Sequence, residues 1–376
     1  MRGVEIAIVG GGPAGAATAC GLAAAGREVL LLERSAGPRH KVCGEFLSLA
    51  TVVQLGRLGI DPRALEAATI DHVAVAAGGR AGVVPLPFPA LSLSRYRLDE
   101  AILEQAAKAG AELWRGVAVE FAERQSRDWR LRCRDGEEIR CRTLVLATGK
   151  RSLRGFADRL DGSMVGLKMH LRLSPASRRA LSGCVELFLL APGYAGLELV
   201  EGGVATLCLI LPRAVVARIG SGWPALRDYL ASTSASLADR LSGALALWEK
   251  PLAVVCPAGG LIRRPSAAYR EGIYPVGDRL AHVPPFAGEG LAIALCSAEM
   301  AARHIRCGSP PPAFLAETRR LAAPAIRLAA GLSLLTSGRL GRAVVAGAAA
   351  HAPSLLQMLA RRTRIGRLGF AEMEAR

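Results

Sequence analysis

Residues 4–15, VEIAIVGGGPAG, decide the fold of this chain. The stretch from Val4 to Val9 alternates and then runs apolar, as a buried strand does, and a glycine-rich turn follows at once. The small-residue stretch AATACGLAAAG then predicts a helix, and EVLLLER predicts a second strand that closes at Glu33. Strand, turn, helix and strand in this order predict a Rossmann-type unit that binds a dinucleotide.

The glycines of this turn suit a pyrophosphate. Gly10 permits the tight turn, Gly12 lets the backbone approach the phosphates, and Gly15 lets helix and strand pack closely. The helix N-terminus adds unpaired N–H groups and a partial positive charge. Glu33, about twenty residues further on, can accept hydrogen bonds from ribose hydroxyls. NAD and FAD share this opening, so the turn alone does not choose between them.

Two later stretches favour FAD. In RCRTLVLATGKRSLRG, an apolar strand at 143–147 ends in Thr148-Gly149. In GIYPVGDRLAHVPPFAGEG, a strand at 272–276 leads to Gly277-Asp278, and a proline-rich loop opens a long helix at Gly288-Glu289-Gly290. An aspartate at such a strand end can bond the ribityl chain. The helix N-terminus can stabilise negative charge on a reduced flavin.

With these motifs, the chain resembles the FAD-dependent monooxygenase superfamily of the p-hydroxybenzoate hydroxylase type. Within it, the chain is similar to the branch of geranylgeranyl reductases, flavin halogenases and polyketide-tailoring hydroxylases. The resemblance rests on IVGGGPAG, LLER, KVCGEFLS, LSRYRLDEAILEQAAKAGAEL, LVLATG and VGDRLAHVPPFAGEG. It implies an α/β chain with a glutathione-reductase-like FAD-binding Rossmann domain, an inserted antiparallel β-sheet substrate domain and a C-terminal helical region.

The order of the segments predicts where these parts lie. The FAD-binding domain is expected to be discontinuous, with residues 1–70, 95–155 and 265–310. The substrate domain is expected at 71–94 and 156–264, where HVAVAAGG, GSMVGLKMHLRLS, CVELFLLAPGYAGLELV and GGVATLCLILP read as antiparallel strands. Residues 311–376 are rich in Ala, Leu and Arg with helical periodicity, and they are expected to form a lid or a membrane-facing cover.

The resemblance also implies which residues hold FAD. Arg95 is expected to reach the cofactor from the side, and the backbone near Val119 to flank the adenine. The ADP half is expected to contact the turn and the end of the second strand, namely Gly10, Gly12, Ala14, Gly15, Glu33 and Arg34. The flavin half is expected to contact two loops and the start of the long helix, namely Cys43, Gly44, Asp278, Gly288, Gly290 and Leu291.

The segment KVCGEFLS, residues 41–48, raises the question of what Cys43 does. A catalytic thiolate needs an activating partner, and His40 and Lys41 are near only in sequence. The resemblance to geranylgeranyl reductases implies instead that the segment with Cys43, Gly44 and Glu45 lies along the flavin, so we expect Cys43 to pack against the cofactor. The nine cysteines show no C-x-x-C spacing and no Cys/His cluster, which predicts neither a metal site nor a disulfide framework and indicates a reducing, cytoplasmic location.

The reaction is less well specified than the cofactor. Halogenases of this branch carry a paired-tryptophan motif, which APGYAGLELVEGG at 191–203 lacks, and prenyl reductases carry Tyr-x-Trp-x-Phe-Pro, of which only Tyr194 is kept. Tyr194 and Glu198 are the catalytic candidates, with Glu198 either an acid in the pocket or an outward residue on a strand. Apart from these two, no general acid–base cluster is apparent, which suits chemistry carried by the flavin.

These features predict an FAD-dependent oxidoreductase, first of all an NAD(P)H-using monooxygenase. It would hydroxylate a lipophilic aromatic or polyketide-type substrate through a flavin C4a-hydroperoxide. No second G-x-G-x-x-G follows a strand, so NAD(P)H is expected to be a transient reductant. One alternative is the reduction of isoprenoid double bonds, as in geranylgeranyl reductases. Another is a basic membrane-surface or nucleic-acid-binding flavoprotein without turnover.

The formal net charge of +16 indicates a surface that attracts phosphates. Nucleic acid is not expected as a partner, because no nucleic-acid motif is present and only 5% of the residues are aromatic. The stretch LARRTRIGRLGF, 359–370, places arginines among apolar residues, as a membrane-surface element does, although a solvated helix end fits equally well. Peripheral membrane contact through the basic C-terminal helices is therefore one expectation.

Overall fold

The computed structural model describes residues 1–77, 80–151, 153–154, 156, 162–220, 222–257, 259–262 and 272–365. The domain boundaries predicted at residues 155 and 265, and the end of the basic stretch at 366–370, lie outside these residues. The structure describes the C-terminal helical region up to residue 365.

Strands and helices alternate along this part of the chain. The strands are β1 (Arg2–Val9), β2 (Val29–Glu33), β3 (Phe46–Leu47), β4 (Ala68–Ala77), β5 (Arg80–Ser92), β6 (Glu112–Arg115), β7 (Val119–Gln125), β8 (Asp128–Cys133), β9 (Glu138–Leu146), β10 (Met164–Arg172), β11 (Gly183–Leu189), β12 (Tyr194–Leu199), β13 (Ala205–Pro212), β14 (Leu245–Ala246), β15 (Leu252–Cys256), β16 (Leu261–Ile262), β17 (Ile273–Pro275) and β18 (Ala281–His282). The α-helices are α1 (Pro13–Ala23), α2 (Leu49–Arg57), α3 (Arg95–Lys108), α4 (Pro175–Leu181), α5 (Arg213–Ile219), α6 (Trp223–Thr233), α7 (Ala235–Leu241), α8 (Gly290–Arg306), α9 (Pro311–Ser337), α10 (Arg339–His351) and α11 (Pro353–Arg362).

The first sheet has the strand order β6-β2-β1-β9-β8-β7, with β17 paired to β9. Strands β2, β1, β9 and β17 run parallel, and all five residues of β2 are buried, as expected for a parallel sheet covered on both faces. The carboxyl ends of these strands therefore meet at one edge of the sheet. Ligands of open α/β sheets bind at this edge.

Helices α1 and α8 pack closely beside this sheet because their contact is made of small residues. A Cβ added to Gly21 would lie 3.2 Å from the Ala302 Cβ. At the start of α1, a Cβ on Gly15 would lie 1.9 Å from the Gly10 carbonyl oxygen. The close helix–strand packing predicted from Gly15 is thus present.

The second sheet has the order β14-β10-β13-β12-β11-β4-β5-β3, with β15 also paired to β10. The sequence predicted an antiparallel sheet, but β4 and β11 pair in parallel, so the sheet is mixed. The chain leaves β5, passes through α3 and strands β6 to β9 of the first sheet, and returns to the second sheet at β10. A connection of this length places no hairpin constraint on β11, which allows parallel pairing with β4.

The two faces of this second sheet differ in chemistry. The face that carries Leu167 and Met169 packs on Leu226 of α6 and Leu237 of α7 and forms a second apolar core. The opposite face carries Gly166, Lys168 and His170, as the two-residue period of β10 requires. Phe188, Leu190 and Leu209 also belong to this apolar core.

Helices α10 and α11 pack on the second sheet at strand β5. Helix α10 approaches β5 so closely that a Cβ on Gly82 would lie 2.4 Å from the Ala349 carbonyl carbon. Among the described residues, no single helix has the length and apolar character of a membrane span. Helices α9 and α10, bent by 112° at their junction, reach that threshold only as a pair, by length and composition.

Candidate active site

The glycine-rich turn lies at the carboxyl end of β1, where Gly12 caps α1 without a side chain. The Glu33 carboxylate is buried and oriented by backbone donors, since Gly11 N donates to its Oε2 at 2.7 Å and Ser35 N to its Oε1 at 2.9 Å. The turn and the end of β2 therefore form one rigid unit. The contacts predicted between these residues and the ADP half of FAD stay a prediction.

The space in front of this turn fits a pyrophosphate. A Cβ on Gly10 would lie 2.4 Å from the Ala147 carbonyl oxygen, so that glycine serves the fold itself. A Cβ on Gly12 would meet only the Lys41 Nζ, at 4.0 Å. The helix N-terminus is thus open and has a cation beside it, which is how proteins bind phosphate groups. FAD fits the residues present.

Gly12→Val should separate cofactor binding from folding. The backbone at Gly12 has φ −74° and ψ 179°, which any residue adopts, so the variant should fold with an unchanged thermal midpoint as apoprotein. FAD content should fall at least about tenfold, because the side chain blocks close phosphate contacts. Flavin absorbance after desalting measures this. Gly3→Val, at a position with open space, is the control, and a fully yellow Gly12→Val protein would contradict the assignment.

A buried charge cluster holds the start of α3 against the loop that contains Cys43. Arg95 donates to both carboxylate oxygens of Asp99, at 2.6 and 2.9 Å, and Lys41 donates to Asp99 at 2.6 Å. Burial raises the pKa of Asp99, but the charges of Arg95 and Lys41 bring this pKa below its ordinary value. Cys43 lies beside Arg95. Its expected role in packing against the cofactor stays a prediction.

The motifs expected around the flavin half come together at the same sheet edge. A Cβ on Gly277 would lie 2.9 Å from the Ala14 Cβ, and a Cβ on Gly288 would lie 2.9 Å from the Phe46 Cδ1. The turn after β17 therefore touches α1, and the loop before α8 touches β3. Asp278 lies in that turn, with its Oδ2 3.8 Å from the Lys150 Nζ. Gly290 and Leu291 open α8.

The remaining predicted cofactor positions are more dispersed. Arg34 follows β2 directly and is half-buried, while Gly44 is exposed. Val119 opens β7, the edge strand three places from β1. The backbone just before it nevertheless reaches the site, because Val117 N donates to the Glu33 carbonyl oxygen at 3.1 Å.

A buried group of three ionisable side chains joins the KVCGEFLS segment to the second sheet. Glu45 pairs with the Lys168 ammonium, and its Oε2 lies 2.8 Å from the His170 Nε2. Arg95 N donates to the Glu45 Oε1 at 2.8 Å. Burial acts to raise the pKa of Glu45, but the His170 hydrogen bond and the Lys168 charge prevail and lower it to about 2. Glu45 is therefore an ionised carboxylate inside the protein.

A second buried carboxyl lies on the same face of this sheet. Glu198 on β12 is opposite Thr206, which is opposite His170 on β10. Its Oε1 accepts a hydrogen bond from Ser92 Oγ at 2.7 Å. Burial, helped by the nearby Glu45 charge, raises the pKa of Glu198 to about 8. Glu198 is therefore a neutral acid at pH 7.

Aromatic rings line the two sides of this polar face. His40 lies 5.0 Å from Tyr96 and 4.8 Å from both His170 and Trp248, measured between ring centroids, and burial lowers the pKa of His40 to about 4. Tyr194 is on the other side, edge-on to Phe286 of the loop before α8, with ring centroids 6.2 Å apart. Tyr194 therefore connects the second sheet to the flavin motif.

The spacing of His40, Glu45 and His170 resembles a metal site, because their ligand atoms lie within 4.8 Å of one another. Lys168 already supplies a positive charge to Glu45, in the place that a metal ion would need. A second cation would add repulsion rather than neutralise the carboxylate. We therefore assign no metal to this group.

The structure corrects the expectation that no acid–base cluster exists. His40, Glu45, His170 and Glu198 come from distant segments and converge on one face of the second sheet. The alternation of Lys168 and His170 in the apolar stretch GSMVGLKMHLRLS was the available indication, since polar residues two apart share one strand face. Of the two alternatives for Glu198, the outward position is wrong, because its side chain is buried.

Comparison with known proteins agrees with this geometry. Residues 3–164 match a family described as an FAD binding domain. The flavin-dependent brominase Bmp2 has the same fold, with a TM-score of 0.79 and 17% identity over 96% of this chain and 93% of that structure. The predicted resemblance to the FAD-dependent monooxygenase superfamily of the p-hydroxybenzoate hydroxylase type is confirmed by these two matches. The predicted α/β fold is confirmed, and FAD is the cofactor that the family binds.

Several proteins with a related sequence are named menaquinone reductase. The menaquinone reductase of Mycolicibacterium smegmatis is 29% identical over 336 residues, 81% of this chain and 76% of that protein. The menaquinone reductase of Mycobacterium tuberculosis is 33% identical over 157 residues, 39% of this chain, and that match spans only 38% of the relative's length. These similarities place the chain with a family of FAD-binding oxidoreductases, and the names of the relatives do not fix its reaction.

Proposed function

We propose that this flavoenzyme reduces a double bond of a lipophilic substrate of the menaquinone class, with NAD(P)H as a transient reductant. The observation that carries the proposal is Glu198, a buried neutral acid on the polar face of the second sheet. Support comes from the relatives named menaquinone reductase. The hydroxylation expected first from the sequence stays a prediction, because similarity to the brominase at 17% identity supports the fold alone.

Reduction of a double bond needs a hydride for one carbon and a proton for the other. When bound, FAD supplies the hydride that it has received from NAD(P)H. Glu198 holds the proton: its Oε1 accepts from Ser92, which leaves Oε2 to carry the proton at neutral pH. The net change is NAD(P)H, a proton and the double bond going to NAD(P)⁺ and a saturated bond, with solvent reprotonating Glu198.

The surrounding side chains suit this role. Lys168 is near enough to lower the pKa of Glu198, so its ammonium offsets part of the charge that Glu198 acquires on losing its proton. Glu45 forms an ion pair with that ammonium and holds it in place. Tyr194 and Phe286 close the site with rings that exclude water and accept an apolar substrate. Glu198 therefore works as an acid in a dry pocket.

A product analysis tests the proposal. The FAD-bound protein is reduced with NADH or NADPH without oxygen, menaquinone is added, and the flavin absorbance and the product mass are followed. We expect flavin reoxidation that depends on menaquinone, and a product that has gained two hydrogen atoms and keeps them after its quinone ring has been reoxidised in air. A product that returns to the mass of menaquinone in air would show reduction of the ring and would contradict reduction of a double bond. A product that carries labelled oxygen under ¹⁸O₂, and no turnover without oxygen, would replace reduction by hydroxylation. If dithionite reduces the flavin but neither NADH nor NADPH does, NAD(P)H is not the reductant, and the proposed reaction with the substrate is unaffected.

A further inference from the structure

Exposed apolar side chains concentrate where α9 meets α10. Six of the twelve large hydrophobic side chains that are exposed in the described residues lie between residues 334 and 358. At the junction, Leu334, Leu340 and Val344 are exposed to 75%, 84% and 62%, and Leu335 lies beside them. We name Leu334, Leu335, Leu340 and Val344 the elbow surface. Isolated exposed leucines need no explanation, but a group of four at a helix junction does.

The elbow is rigid because α10 starts directly against the end of α9. A Cβ on Gly341 would lie 1.8 Å from the Leu335 carbonyl oxygen, so only glycine permits this contact. Arg342 Nη1 donates to the Ser337 carbonyl oxygen at 2.7 Å and thereby caps the end of α9. The elbow surface is therefore a fixed feature of the fold.

The polar side chains of the elbow bond inward. Thr336 Oγ1 donates to the Leu332 carbonyl oxygen at 3.1 Å, and Ser337 Oγ donates to the Leu334 carbonyl oxygen at 2.6 Å. An unpaired polar group is costly in an apolar medium. Because these hydroxyl groups are hydrogen-bonded, the junction of α9 and α10 can enter such a medium at a lower cost. The leucines and the valine are left as the groups presented outward.

The chain segment that contains the elbow surface is basic. Residues 318–365 contain eight arginines and no Asp, Glu or Lys. Arg320, Pro324, Arg327, Gly331 and Leu334 are all exposed and recur every three or four residues, so they form one stripe along α9. Arg327 precedes Leu334 by about 10 Å at 1.5 Å per residue, comparable to the depth at which interfacial helices insert.

We propose that the elbow surface docks into an anionic phospholipid bilayer from one side. The four apolar side chains insert among the acyl chains, and exposed arginines, Arg320, Arg327 and Arg339, contact lipid phosphates. A second copy of the chain fits less well, because two arginine-rich surfaces would repel each other. If the proposed reduction of a menaquinone-class substrate is correct, the same bilayer supplies the substrate, but docking does not depend on that reaction.

Vesicle binding tests the proposal without any turnover. The full FAD-bound chain is sedimented with vesicles of phosphatidylcholine alone or mixed with phosphatidylglycerol. We expect binding to the anionic vesicles that weakens when salt is raised from about 0.1 to 0.5 M. The triple variant Leu334→Ser/Leu335→Ser/Leu340→Ser should bind about 1,000-fold less tightly, since each of the three leucines contributes roughly tenfold. The control Leu245→Ser removes an equally apolar side chain, exposed to 62%, from β14, and should bind as the wild type.

Folding of the triple variant is checked by its FAD content and thermal midpoint. As an independent measurement, Leu340→Trp should show blue-shifted emission with anionic vesicles and quenching by brominated lipids. Absence of vesicle binding by the wild type would overturn the proposal, as would unchanged binding by the folded triple variant. A wild-type dimer that the triple variant dissociates, without vesicle binding, would assign the elbow surface to self-association instead.

Discussion

Glu198→Gln is expected to lower turnover with menaquinone by about 100-fold or more, because the amide keeps the shape of the side chain and has no proton to give. The amide oxygen can still accept from Ser92, so FAD should stay bound and the fold intact. Reduction of the flavin by NAD(P)H should be unchanged, since Glu198 acts on the substrate. Rapid-mixing measurements of the two half-reactions separate these effects.

The pH dependence of Glu198 gives a second readout. Wild-type turnover should fall as pH rises through about 8, where Glu198 loses its proton, and Glu198→Gln should lack this decline. The free energy of unfolding should also decrease as the pH rises. In the folded protein Glu198 keeps its proton up to about pH 8, whereas in the unfolded chain it loses the proton near pH 4.5, so the decrease should occur between these two values. The variant should lose that decrease.

A matched control exists on the neighbouring strand. Glu186 is also buried, but it faces α7 and pairs with Arg240 on the opposite side of the sheet. Glu186→Gln should lose stability and keep the turnover number. If Glu198→Gln kept both its rate and the decline above pH 8, Glu198 would not be the proton donor.

Glu45→Gln is expected to lower the free energy of unfolding by about 3–5 kcal/mol, because it leaves the Lys168 ammonium buried without a counter-charge. The Glu45→Gln/Lys168→Met double variant should recover most of this loss, since a buried pair is costly mainly when one partner is removed. Urea unfolding of the four proteins of this cycle gives the coupling free energy. Additive losses would show that the two charges are not coupled.

The acid limb of the stability profile offers a further check on Glu45. Its pKa is lowered from 4.5 to about 2, so its contribution to stability is complete above pH 4.5 and is lost as the pH falls towards 2. Glu45→Gln should lack this loss. Glu123→Gln, which breaks a surface pair with Arg130 at 3.7 Å, should change stability by less than about 1 kcal/mol.

The placement of the cofactor motifs could be predicted because each depends on residues close in sequence. The Gly10–Gly15 turn, the strand that ends at Glu33 and the start of α8 after Gly288 follow from glycine chemistry and from apolar periodicity. The pairing of β4 with β11 could not be predicted in the same way. It depends on how two segments far apart in the chain meet, and alternation alone does not state the direction of a partner strand.

By itself, the sequence determined the α/β class, the glycine-rich turn for a dinucleotide and the residues that make up each predicted cofactor-binding motif. Only the tertiary structure decided the chemistry of the polar face. Glu45 and His170 are 125 positions apart, and Ser92 and Glu198 are 106 apart, so no local pattern links them. The charge state of Glu198 depends on its burial and on its distance from Glu45, and both exist only after the second sheet has folded against the first lobe.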